Sequence, residues 1–201
     1  MGTILDFYNG KITNHYKLSF DDMLQMSDVS IENSHTCIQW LFPLQEMSMA
    51  TPNSPLITDE EIEAFKNVEN KSLRQNLIRA TRRMLSFYGL EIKAMPSGLS
   101  SKPVLGIVKA PGWEQKFENW VTVRNHNFKR LTRMVRSLSL LGLDPLAIAL
   151  QDCLLLIAME EDDVDVITRK YWEEARIFPK VGSQNVTEVL ESNDGSPGNA
   201  G

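Results

Sequence analysis

The residues of this chain best suited to chemistry fall in two short stretches. The first, Ile31 to Leu44, reads IENSHTCIQWLFPL. At about 100° per residue on a helix, Glu32, His35 and Gln39 form a polar stripe. It runs along the margin of a face made by Ile31, Ser34, Ile38 and Leu41. A histidine near its ordinary pKa of about 6.5 can serve as base, acid or ligand. The second stretch, His126 to Gly142, reads HNFKRLTRMVRSLSLLG. His126, Arg130, Arg133 and Ser137 follow one another at steps of four, three and four, and Asn127 falls toward the apolar side. One guanidinium can hold a carboxylate or phosphate through two bonds, so two on one stripe would make an anion site. The candidates for acid–base work are therefore His35 and His126. The candidates for ligand binding are Glu32, His35, Gln39, Trp40, Tyr88, His126, Asn127, Arg130 and Arg133.

Each stripe also has a purely architectural explanation. A histidine bonded to Glu32 or to nearby backbone would knit two helices together. With Arg124, Lys129 and Arg136 close by, the arginines would be a solvated basic face. Other chemistry finds no foothold. The chain has no G-x-S-x-G, no P-loop, no G-x-G-x-x-G and no cysteine pair at zinc spacing. Three histidines, His15, His35 and His126, are too few for a histidine-rich metal centre. The E-x-x-H spacing of Glu32 and His35 has no second copy, which a di-iron bundle requires. No metal and no cofactor is expected.

The elements that must position these residues are mostly helices. Asp28 or Ser30 can cap a helix running to about Leu41, with Pro43 helping to end it. Thr58 and Glu61 form a capping box for a helix reaching Lys66. From Lys71 to Tyr88, Leu73, Leu77, Ala80, Met84 and Phe87 share one face, and Gly89 is placed to close the helix. The runs LEIK and PVLGIV between residues 90 and 112 fit a small β-hairpin. A short helix from Trp113 to Val121 precedes the one at His126. Asp144 then caps a nearly all-apolar helix with Pro145 in its first turn. A last helix covers Val166 to Ile177. The expected fold is a mainly α, single-domain helical bundle over residues 1–180, with a disordered Gly-, Ser- and Asn-rich tail over 181–201. Its core should contain Ile38, Leu41, Leu77, Met84, Leu131, Val135, Leu138, Ile148 and Leu155.

Composition narrows the class. At 201 residues and 42% hydrophobic content the chain can bury a real core. A formal net charge of −5 disfavours nucleic acid and anionic membrane as partners. The most apolar segment, PLAIALQDCLLLIAM, is shorter than the roughly 20 residues of a membrane span and carries Gln151 and Asp152. Cys37 and Cys153 read as buried thiols in a reducing compartment. With no secretory signal visible at MGTILDFYNGK, the expected location is intracellular, cytoplasmic or nuclear.

Three blocks then carry a resemblance. They are His35 to Pro43 with its IQWLFP core, Met84 to Gly89 with FYG, and His126 to Arg133 with HNFKRLTR. In type and order they resemble the opioid growth factor receptor conserved region, over roughly Phe7 to Leu155. Thr36 and Cys37 stand where that family usually has an acidic residue and a tyrosine. The resemblance implies an opioid-peptide (Met-enkephalin) receptor, with nuclear and membrane association, and a short, domain-only member. Three functions follow: a domain binding a peptide or small molecule, with an anionic ligand favoured by the arginines; a small helical enzyme using His35 or His126; or a protein-interaction module. A single pocket holding both histidines with Gln39, Tyr88 and Arg130 would favour the first two.

Overall fold

The structure, a computed structural model, describes residues 4–47, 51, 54–96 and 104–176. Two short helices open it, α1 (Ile4–Tyr8) and α2 (Phe20–Leu24). Their aromatic side chains cluster: Phe7 meets Phe20 and Trp40, and Tyr8 meets Phe65 edge-on. The expected single helix up to Leu41 is instead two, α3 (Asp28–Asn33) and α4 (Cys37–Leu41). Ser27, rather than Asp28 or Ser30, caps α3 by accepting the Ser30 amide at 3.1 Å. The break lies at Ser34, whose backbone is extended (φ −86°, ψ 113°). Its cause is local. Asn and Ser side chains compete with helical bonding. Here the Asn33 amide donates to the Val29 carbonyl at 2.9 Å, and Ser34 Oγ accepts the Cys37 amide at 3.1 Å.

The next elements match their sequence signals closely. Helix α5 (Asp59–Lys66) starts at the Thr58–Glu61 capping box, with both reciprocal bonds present. Helix α6 (Lys71–Tyr88) buries Leu73, Leu77, Ala80, Met84 and Phe87 and ends at Gly89 in the left-handed conformation, φ 72°. Strands β1 (Leu90–Met95) and β2 (Val104–Lys109) pair antiparallel, with Leu90 opposite Lys109 and Met95 opposite Val104. Helix α7 (Trp113–Trp120) follows, then α8 (Asn127–Leu140) and α9 (Asp144–Glu160). Asp144 is the first residue of α9 rather than its cap, and its carboxylate accepts the Ser139 hydroxyl at 2.9 Å. Helix α10 (Val166–Glu173), capped by Asp165, stops short of the expected Ile177. The chain is thus mainly α with one small hairpin. The expected 181–201 tail lies outside the described residues.

The core is centred on α8 and α9. Leu131, Val135, Leu138, Leu150 and Leu154 are fully enclosed. Ile148 is a correction: it is 39% exposed, and Leu155 is only partly buried at the core's edge. An apolar helix need not be covered all round. Helices α8 and α10 and strand β2 pack on α9, and a remaining face leaves Ile148, Leu156 and Met159 in solvent. Cys37 and Cys153 are buried free thiols, and burial raises their pKa to about 11 and about 12.

Candidate functional site

The polar stripe of α8 faces the chain's own backbone. Arg130 donates to the carbonyls of Ile31 at 3.3 Å, Glu32 at 3.1 Å and Ser34 at 2.9 Å. Those carbonyls lie where α3 ends, and a helix end leaves its last carbonyls without partners. The guanidinium supplies donors to them and adds a positive charge where the helix dipole favours one. One turn on, Arg133 Nε donates to the Phe42 carbonyl at 2.8 Å, and one turn further the Ser137 hydroxyl donates to the Pro43 carbonyl at 2.9 Å. The four–three–four spacing is therefore a ladder of donors gripping the segment from Ile31 to Pro43. The two chemically rich stretches of the sequence hold each other.

Asn127 sits inside this grip, fully buried. Its amide nitrogen donates to both Glu32 oxygens, at 3.4 and 3.1 Å. Its oxygen accepts from the Tyr88 hydroxyl at 3.2 Å and from Arg130 at 3.2 Å. Both the nitrogen and the oxygen of that amide thus have partners, as buried polar groups require. Trp120 Nε1 in turn donates to the Tyr88 carbonyl at 3.0 Å, tying α7 to the same cluster. Burial raises the Tyr88 phenol well above its ordinary pKa, so it stays a donor.

Glu32 joins this buried network to the surface. Its side chain is 34% exposed, with His126 Nε2 at 3.3 Å and Arg130 at 3.6 Å. Burial, and after it the Arg130 charge, holds the His126 imidazole below its ordinary pKa; Glu32 pulls the other way, and His35 adds to the lowering. At neutral pH the contact is thus between a carboxylate and an uncharged ring. Beyond Glu32 lies a cleft of about 220 Å³ between α3, the end of α6 and α7. Phe87 and Trp120 form its apolar floor, Val29 its exposed lip, and Asp28, Glu32, Asn33, Lys116 and Asn119 its polar rim. Burial pulls Asp28 upward, but hydrogen bonds and charge from Lys116 and Arg83 outweigh it and hold its carboxyl below the ordinary value.

The nine sequence candidates therefore separate. Glu32 lines the cleft; His126, Asn127 and Arg130 touch Glu32; Tyr88 stands behind Asn127. His35 is exposed at the α3–α4 break, close enough for its charge to act on His126. Gln39 and Trp40 are buried within α4, where Trp40 packs on Phe7 with ring centroids 4.7 Å apart. Arg133 lies on the Phe42 side, its pKa lowered to about 10 by burial and then by Arg136. The sequence reading missed Asp28, Val29, Asn33, Phe87, Lys116, Asn119 and Trp120 as cleft residues. Phe87 was legible only as a core position. The density of aromatics at Phe87, Tyr88, Trp113, Phe117 and Trp120 was the available signal. Among the described residues no group of three or more His, Cys, Asp or Glu is placed to hold a metal ion. Nor, among them, is any helix long and apolar enough to cross a membrane.

The pattern of the opioid growth factor receptor conserved region matches residues 2–174. The chain belongs to the opioid growth factor receptor family. Its relatives include the opioid growth factor receptor of Mus musculus, 37% identical over 114 residues, which are 57% of this chain and 16% of that protein. The opioid growth factor receptor of Homo sapiens is 35% identical over 114 residues, 57% of this chain and 15% of that protein. Opioid growth factor receptor-like protein 1 of Mus musculus is 30% identical over 143 residues, 71% of this chain and 28% of that protein. The matched parts thus span less than a third of each relative. No solved structure matches. In this chain the last two residues of the IQWLFP block, Phe42 and Pro43, accept from Arg133 and Ser137, while Arg130 of the HN-x-x-R block grips the residues just before it.

Proposed function

We propose that this family domain is a non-catalytic binding domain whose α3–α7 cleft takes an amine-bearing group of a peptide or small molecule. The observation that carries this reading is Glu32. A carboxylate offers about four acceptor positions. Those of Glu32 are fixed from behind by Asn127, His126 and Arg130, while the side chain stays open at the cleft wall. An ammonium or hydroxyl of the ligand would donate to it, and an apolar group would lie on Phe87 and Trp120. Small-ligand sites combine an apolar lining with a few fixed polar groups in this way. Relatives that carry the name receptor agree with a binding role. An acid–base role for His35 or His126 draws less support, since neither lines the cleft.

The test is calorimetric titration of the full chain with Met-enkephalin and with the same peptide acetylated at its amino terminus. Saturable binding of the free amine is expected, weakened about tenfold (about 1.4 kcal/mol) by acetylation and by Glu32→Gln. Val29→Arg, at the exposed lip and outside the buried network, should block it without lowering the Tm. No saturation at millimolar peptide, or equal binding by all three forms of the protein, overturns the reading.

A further inference from the structure

A second cavity, of about 410 Å³, opens where α6, the hairpin and α7 meet. Its shape comes from two left-handed glycines. Gly89 (φ 72°) lets α7 close in: a Cβ there would lie 2.8 Å from the Lys116 Cβ and 3.1 Å from the Trp113 Cα. Gly112 (φ 76°) turns the chain into α7, whose first turn no side chain caps. The Ala110 amide, donating to the Gly89 carbonyl at 2.9 Å, closes the corner between them.

The wall carries an unused cation. Three of the four arginines of α6 are engaged. Arg74 donates to the Gly142 carbonyl, Arg79 to Asp21, and Arg83 to Met26 and Asp28. Arg82 is exposed, lines the cavity, and has no hydrogen bond or ion pair to any described residue. Lys116 lines the wall with its stem while its ammonium is paired with Asp28, and Ser86, one turn from Arg82, brings a hydroxyl. Glu91 is the acidic member of the wall, and Lys93 already lies 3.4 Å from its carboxylate. Leu85 and Ile92 supply apolar surface beside these groups.

We propose that this cavity is a second binding site, for a small molecule with an oxyanion head such as a phosphomonoester. The planar fork of Arg82 suits bidentate contact with a phosphoryl group. The Ser86 hydroxyl would take one of its remaining oxygens, and the uncapped first turn of α7 adds favourable potential. The volume exceeds what an inorganic ion fills and falls in the range of small-ligand pockets, about 300–1,000 Å³. The apolar wall of Leu85 and Ile92 would receive the organic part. Lys116 lines both cavities, but this proposal does not depend on the peptide reading of the other.

The probe is phenyl phosphate, titrated at constant ionic strength into the full chain and followed by the backbone amide resonances of Ser86, Gly89 and Gly112. Saturable shifts at these amides are expected, with phenol producing none. Arg82→Gln should weaken binding about tenfold, because a charge-assisted bidentate contact is lost. Ser86→Asp, at an exposed position, should abolish it by placing a like charge in the wall. Four results each overturn the proposal: no saturation at millimolar phenyl phosphate, equal shifts with phenol, unchanged affinity in both variants, or shifts centred on Arg133 and Arg136 instead.

Discussion

Replacing Arg130 by methionine should be among the most damaging single changes to this fold. The guanidinium is nearly enclosed, with 8% of its side chain exposed, and it donates to three carbonyls and to the Asn127 oxygen. Methionine fills much of the volume but donates nothing. Three carbonyls at the end of α3 and the Asn127 oxygen then lose a partner, and Glu32 loses its nearest fixed cation. A hydrogen bond to a charged group is worth about 1.5–3 kcal/mol, and truncating one member of a buried charged pair costs about 3–5 kcal/mol. Water can reach some of the released carbonyls through the half-exposed side of Glu32, so the bonds do not simply add. The expected loss is about 3–5 kcal/mol. Arg130→Lys keeps the charge but not the fork, and should fall in between, at about 2 kcal/mol. Urea unfolding at neutral pH, followed by far-ultraviolet circular dichroism and tryptophan fluorescence, measures both. Arg82→Met, at an exposed and unpartnered site, is the control and should stay within about 0.5 kcal/mol of the parent. A loss under about 1 kcal/mol for Arg130→Met would refute the donor ladder as what holds the Ile31–Pro43 segment.

The remaining expectations concern pH, packing and glycine. His126 has a lowered pKa in the folded state, so its contribution to stability is complete above its ordinary value of about 6.5 and is lost as pH falls through the lower folded value. Melting curves of the parent and of His126→Gln between these limits should therefore converge on acidification; divergence would contradict the assignment. Leu138→Ala should cost about 2–5 kcal/mol, and Ile148→Ala under about 1 kcal/mol, because the first is enclosed and the second lies on the open face of α9. Equal losses in denaturant titrations would refute the packing described. Gly89→Ala must adopt a left-handed backbone and also displace α7, for about 2–4 kcal/mol, whereas Gly10→Ala, with open space at its Cβ, should cost only the backbone term of about 1–2 kcal/mol. The reverse order in Tm would show that the Gly89 corner is not tight.

Much of this fold is legible where a local rule suffices. The Thr58–Glu61 box, the Gly89 end of α6 and the LEIK–PVLGIV hairpin need only neighbours in sequence. The α3–α4 break is different. Helical spacing persists through Ser34 and His35, so periodicity reads one helix. What favours two is the local bonding of Asn33 and Ser34, together with Arg130, about a hundred residues away, donating to the carbonyls that the break leaves free. Ile148 fails for a similar reason: an all-apolar helix gives no sign of which face its neighbours leave open. At the candidate site, Glu32, His126, Asn127 and Arg130 were identified by type and spacing, and the structure gathers them. Their main contacts are with one another and with backbone, which spacing alone does not distinguish from a ligand site. Phe87 and Trp120 had no polar pattern to mark them, because a cleft floor is written in the sequence as core.

In the proposed function Glu32, fixed from behind by α8, presents a carboxylate to a ligand in the cleft floored by Phe87 and Trp120. The most direct measurement is a two-dimensional amide and indole spectrum of the labelled chain at increasing Met-enkephalin. Saturable shifts are expected at the Trp120 indole and at the Asn33 and Asn119 side-chain amides, with the Gln39 and Arg133 resonances unmoved. Shifts at Gln39 and Arg133 with silence around Trp120, or no saturable shift anywhere, would contradict it.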